Sequence, residues 1–145
     1  MKERFETFTV LINRISRNIR KIKKQEMAEY NLSGAHISCL YYLYLRDNMT
    51  ATDLCERCEE DKATISRALD YLEKNEYLTR ESKRYKSPLV LTEKGREVGK
   101  KIADKINGIL NAISVELSEE ERTAFYRSLS IISESLDAVS KSGKQ

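Results

Sequence analysis

His36-x-x-Cys39 and Cys55-x-x-Cys58 set two pairs of zinc-type donors at the same spacing, a potential Cys₃His set. The same thiols could instead serve as a redox switch, which requires an exposed thiol of low pKa. Both chemistries compete with a plainer one, in which a free cysteine packs as a small apolar side chain. Two pairs carried on two helices lack the tight knuckle that closes most structural zinc sites. Glu56, Glu59 and Glu60 surround Cys58 in sequence and should raise its thiol pKa, against Arg57 and Lys62. The favoured reading is core packing with inert thiols; redox sensing and zinc are the alternatives, and no metal or cofactor is expected. An odd number of cysteines behind an N-terminus with no apolar signal segment argues against a disulfide framework. Enzyme chemistry finds little support: there is one histidine, no nucleophile motif and no glycine loop for phosphates.

The second chemistry is phosphate binding. Net charge is only +3, so the distribution of charge carries the argument. Arg14, Arg17, Arg20, Lys21, Lys23 and Lys24 occur between Leu11 and Lys24 without one acid. Arg80, Lys83, Arg84 and Lys86 stand against Glu81 between Thr79 and Pro88. Basic clusters of this kind are the electrostatic footprint of nucleic-acid contact, although a solvated helix face produces them too.

These residues need elements to hold them. The 145 residues suffice for one domain with its own core, and the fifteen uncharged residues Asn31–Leu45 are too few and too polar to span a bilayer. A cytoplasmic protein is expected. Apolar residues at spacings of three and four predict a helix over 2–30, carrying Phe5, Phe8, Ile12, Ile15, Ile19 and Ile22. Ser33 caps a second helix, 35–46, and Thr50 a third, 51–58, with Leu54, Cys55 and Cys58 inward. Asp61 then caps a helix that runs to Asn75 with Ile65, Leu69 and Leu72 inward, its side chain accepting from the Thr64 N–H. After Asn75 the period changes. Tyr77–Arg80 and Leu89–Leu91 are short runs of strand formers joined by a basic loop, hence a hairpin. Thr92 opens a further helix, a last one covers 119–139, and 140–145 is expected to fray.

Two short helices joined by a tight turn and followed by a basic hairpin make a winged helix-turn-helix, here 50–92. The second helix of such a pair enters the major groove, where its N-terminal residues meet base edges. Asp61, Lys62, Ala63, Thr64, Ser66 and Arg67 are small or polar and suit that task, with Thr52 on the preceding helix. Lys83, Arg84, Tyr85 and Lys86, within a wing of 82–87, would reach phosphates or a minor groove. The fold class is mainly α with a small β-hairpin wing, the winged core flanked by N- and C-terminal helices.

The segments ATISRALDYLEKNEYLTR and LVLTEKGRE, with Thr52-x-Leu54 before them, resemble the MarR family of bacterial regulators, and the resemblance extends over nearly the whole chain. It implies one domain over 1–145, with a winged core at 33–92 and dimerisation helices at 2–30 and 93–139. It implies that Asp61–Arg67 lies in the major groove of double-stranded DNA, and that Lys83–Lys86 touches the backbone or minor groove. Phe5 to Ile22 and the C-terminal stripes would form a two-fold homodimer, and the regulator would be a repressor reading a pseudo-palindromic operator. It also implies apolar roles for positions 55 and 58. A small aromatic or phenolic effector near Tyr30, Tyr41, Tyr42, Tyr44 and Arg14, Arg17 and Arg20 is possible, but core tyrosines and solvated arginines are the preferred reading. The wing departs from the family pattern: it is shorter, and no aspartate precedes Arg84. Glu76 stands where the family prefers glycine, so a different cap is expected there. The shortened wing keeps a second function open, a dimeric protein-interaction module with weak or no DNA binding.

Overall fold

A computed structural model of the chain describes residues 3–82 and 86–143. The element order is α1 (Glu3–Glu26), a 3₁₀ turn (Ala28–Tyr30), α2 (Gly34–Leu45), α3 (Ala51–Cys58), α4 (Lys62–Lys74), β1 (Leu78–Arg80), β2 (Leu89–Leu91), α5 (Glu93–Ser114) and α6 (Glu119–Ser142). The mainly helical class with a hairpin is thereby observed. The chain divides into two compact units, 1–104 and 105–145.

In the first unit the core forms where α2, α3 and α4 pack against one another and against the hairpin. Ile37, Leu40, Leu54, Ile65, Leu69, Leu72, Leu78 and Ile102 are almost wholly enclosed. The helical period predicted Ile65, Leu69 and Leu72; Ala68 joins them because a small residue lets the neighbouring elements approach. On α2 the buried face is Ile37, Cys39, Leu40 and Leu43, so Tyr41 and Tyr44 sit at its margin rather than in it. Cys55 and Cys58 are likewise half-buried, not the core residues expected of them.

The hairpin is antiparallel, with Leu78 opposite Leu91, Thr79 opposite Val90 and Arg80 opposite Leu89. Leu78, Leu89 and Leu91 face the core while Thr79 and Val90 face outward. That alternation is what a one-sided two-stranded ribbon requires. The Leu89 N–H also donates to the Met49 carbonyl at 2.9 Å, which ties the base of the wing to the segment before α3.

The end of α4 corrects an expectation. Glu76 takes the left-handed conformation, φ 65°, that glycine would take. The Tyr77 N–H donates to the Leu72 carbonyl at 2.8 Å and the Glu76 N–H to Glu73 at 3.1 Å. This is the left-handed cap that the glycine form would make, with a glutamate bearing the steric cost. Thr92 locks it, its hydroxyl donating to the Glu76 carbonyl at 2.6 Å and accepting from the Gly95 N–H at 3.1 Å. At Gly95 a β-carbon would collide with the Tyr77 carbonyl, so the junction of hairpin and α5 needs glycine there.

The first helix ends at Glu26, earlier than the sequence suggests; a 3₁₀ turn follows and is closed by Asn31 in a left-handed conformation. In the second unit, α6 continues through Ser142, past the expected fraying point. Ser118 caps α6, accepting from Glu121 N–H, and the Ser118 N–H donates in return to the Glu121 carboxylate, both at 3.1 Å.

Candidate nucleic-acid interface

The candidate reading edge is built by two caps. At the start of α3, Thr50 Oγ1 accepts from the Asp53 N–H at 3.2 Å while the Thr50 N–H donates to Asp53 Oδ2 at 2.9 Å. This capping box fixes where α3 begins and leaves Thr52 exposed on its first turn. Glu59, in the left-handed region at φ 53°, ends α3 and turns the chain. Asp61 Oδ1 then accepts from the Thr64 N–H at 2.7 Å and starts α4. The Thr64 backbone and hydroxyl hold the Asp61 carboxyl below the usual carboxylate range. Asp61 is therefore charged at neutral pH and lies at the positive end of the helix dipole.

With α4 begun in this way, Ile65, Ala68, Leu69 and Leu72 point inward. Lys62, Ala63 and Arg67 are exposed, and Thr64 and Ser66 are half-exposed. An Arg67 guanidinium nitrogen lies 3.4 Å from Thr64 Oγ1, a long contact that leaves its other donors available. Asp61, Lys62, Ala63, Thr64, Ser66 and Arg67 thus occupy the first two turns of one helix. Their groups can offer hydrogen bonds to base edges and phosphates, chemistry a buried face could not provide.

Of the expected wing contacts, the exposed Lys86 is among the described residues. Lys83, Arg84 and Tyr85 lie outside the described residues. Arg80 departs from the basic cluster in which its sequence neighbours place it. Its side chain is only 7% exposed, and its guanidinium is hydrogen-bonded to Asp70 of α4. Its Nε lies 3.4 Å from Glu73 Oε1, a charge contact rather than a hydrogen bond. Arg80 therefore braces the wing against α4 instead of facing a phosphate.

Other candidate chemistry separates. His36 Nδ1 accepts from the Ser33 N–H at 2.9 Å, and the ring stacks on Tyr71 with centroids 4.2 Å apart. Burial lowers its pKa from 6.5. No group of three histidine, cysteine or acidic side chains suited to a metal ion occurs among the described residues. Tyr30 receives Lys101 Nζ at 3.3 Å, and Tyr41 packs edge-to-face on Tyr42, so these tyrosines take separate partners. No helix among the described residues is long and apolar enough to cross a membrane.

Cys58 departs from the sequence expectation. The sequence places acids around Cys58, yet its pKa is lowered, first by a hydrogen bond with Cys39 and then by Lys23 of α1. Neither partner is near Cys58 in sequence, and only the packing of α1, α2 and α3 could reveal them.

Comparison with known proteins bears on the fold. Residues 30–84 match the model of the MarR family. No curated protein matches the chain. Among solved structures, a MarR-family transcriptional regulator from Silicibacter pomeroyi is 27% identical, with 84% of each chain covered and a TM-score of 0.75. The MepR–DNA complex of S. aureus is 21% identical, covering 89% of this chain and 97% of that one, with a TM-score of 0.78. A MarR-family protein from Bacillus stearothermophilus is 18% identical over 94% of this chain and 98% of its own, TM-score 0.75. Residues 30–84 of this chain are thus similar to the MarR family, and the fold is that of the family's transcription regulators.

Proposed function

We propose that the chain is a sequence-specific, DNA-binding transcription regulator, acting as a homodimeric repressor in the cytoplasm, and not an enzyme. The observation that carries this reading is the capped, solvent-facing start of α4. Asp61, Lys62, Ala63, Thr64, Ser66 and Arg67 supply donors and acceptors there, while the opposite face is anchored in the core. Thr52 and the wing residues Lys83, Arg84, Tyr85 and Lys86 complete the proposed contact set. The fold likeness to a regulator solved with DNA supports it.

Dimerisation is supported by the apolar faces left uncovered in each unit. Phe5 is 77% exposed, Ile15 50% and Ile19 49% on α1, and α6 has no buried residue although it carries Phe125, Leu129, Ile132 and Leu136. Apolar patches of this kind mark interaction surfaces, and a second copy of the chain would cover them. Two copies related by a two-fold axis would read half-sites about one helical turn apart, roughly 10 bp. No effector is assigned, because the tyrosines that could form its site are engaged separately.

The test is retention of random genomic DNA fragments on a gel at moderate salt. Retention that weakens with added salt is expected. A dimer that retains no fragment would instead mark a protein-interaction module.

A further inference from the structure

The base of the hairpin is held on two sides. On the β2 side the Leu89 N–H donates to the Met49 carbonyl at 2.9 Å, and Leu89 and Leu91 enter the core. On the β1 side the hold is ionic. The Arg80 guanidinium is hydrogen-bonded to Asp70, and its Nε lies 3.4 Å from Glu73 Oε1. Both carboxylates belong to α4. Thr64, Arg67, Asp70 and Glu73 follow at intervals of three, each the neighbour of the next on the helix surface. The brace therefore continues the ridge that starts at the proposed reading edge.

Stability alone accounts poorly for this arrangement. The Arg80 side chain is more than nine-tenths enclosed, yet its Nε makes no hydrogen bond. Burying a cation with a donor unsatisfied gives back much of what the ion pair gains. What a planar, rigid guanidinium does supply is a fixed separation between β1 and α4. That separation matters at the far end of the wing. Lys86 stands three residues before Leu89, up to about 10 Å of chain from the base. A tilt of about 10° at the base would then move Lys86 by about 2 Å, enough to break a hydrogen bond to a phosphate.

We propose that Arg80 is a positioning residue for DNA binding. Through Asp70 and Glu73 it sets the angle of the wing to α4, so that Lys86 and the α4 edge meet one duplex together. The two contacts then act as a preorganised pair, and the second is made without further ordering of the wing. Arg80 itself touches no DNA. This inference rests on the DNA-binding reading.

The experiment uses a duplex that the parent selects from genomic fragments, and measures its binding to the parent, Lys86→Glu, Arg80→Met and the double variant. All are compared at a temperature where circular dichroism shows each to be folded. Arg80→Met should bind roughly tenfold more weakly. Lys86→Glu should cost at least about threefold less in the Arg80→Met background than in the parent, because a misplaced wing has less contact to lose. Asp70→Ala separates position from charge. It removes a negative charge from α4, which by electrostatics alone would tighten binding to a polyanion, whereas loss of the brace should weaken it. If Arg80→Met does not fold, Asp70→Ala and Glu73→Gln carry the same comparison with Lys86→Glu. A further arm follows amide hydrogen exchange without DNA, expecting faster exchange in peptides covering β1 and β2 of Arg80→Met and unchanged exchange in α4.

An equal cost of Lys86→Glu in both backgrounds, or tighter binding by Asp70→Ala, would overturn the positioning role. Unchanged exchange in the hairpin would overturn the brace itself. A folded parent that selects no duplex would instead defeat the DNA-binding reading, and hairpin exchange would still decide whether Arg80 holds the wing.

Discussion

Arg80, the last residue of β1, is hydrogen-bonded to Asp70 in the middle of α4, and so fastens the wing to the helix that would read DNA. The guanidinium is enclosed while Asp70 is half exposed and Glu73 is partly covered. Removing the arginine strands no buried carboxylate, so the cost is smaller than for a fully buried pair. Arg80→Ala should lower stability by about 1–2 kcal/mol. Urea denaturation should show the midpoint fall with little change in slope. A midpoint within error of the parent would show that the brace contributes nothing.

The left-handed Glu76 provides the opposite kind of change. Glu76→Gly removes the β-carbon clash but gives the unfolded chain more freedom, leaving a net gain of about 0.5–1 kcal/mol. The bonds through the Glu76 backbone, including the one from Thr92, are untouched. Thermal unfolding of the two proteins decides the matter, with a rise in Tm expected and a fall contradicting the cap geometry.

Gly95 should tolerate no such freedom. Gly95→Ala places a β-carbon on the Tyr77 carbonyl, and relief requires the hairpin to move away from α5. A loss of roughly 3 kcal/mol is expected. Retained parental stability in denaturant would show that the junction is looser than described.

Acid should weaken the fold through His36. Its folded pKa lies below the ordinary 6.5 because burial disfavours the charged ring, and its Nδ1 must stay unprotonated to accept from Ser33. The unfolded state then binds more protons, so this contribution is complete above about pH 6.5 and is lost as pH falls through the lower folded value. Comparing unfolding midpoints of the parent and His36→Ala from pH 7.5 to 5.5 isolates the histidine from the carboxylates. The parent should lose more stability over that range; parallel curves would contradict the cap.

Much of this was legible in the sequence because local rules and tertiary packing agree. Asp61 caps α4 as its spacing to Thr64 suggests, and Ile65, Leu69 and Leu72 bury as their period requires. What remained hidden depends on partners distant in sequence or on backbone strain. Arg80 has the residue type of a surface cation, and only the approach of β1 to α4 shows that it faces two acids. The Cys58 thiol pKa is lowered first by Cys39 and then by Lys23, groups that α2 and α1 carry and that lie far from it in sequence. Glu76 adopts a conformation that its residue type disfavours, since the surrounding hydrogen bonds define the cap. The residues of α4 proposed to contact DNA have the residue types and the exposed or half-exposed positions that this role requires.

Selection of bound genomic fragments by the parent, by Thr64→Ala with Ser66→Ala, and by Lys86→Glu tests the central claim most directly. The parent should enrich a two-fold related sequence with half-sites roughly 10 bp apart. The α4 variants should enrich a changed sequence. Lys86→Glu should keep the sequence but bind all duplexes more weakly, with the log–log salt slope smaller by about 1. No enrichment by the parent, or the same sequence and affinity for all three proteins, would contradict the assignment of α4 as the reading helix.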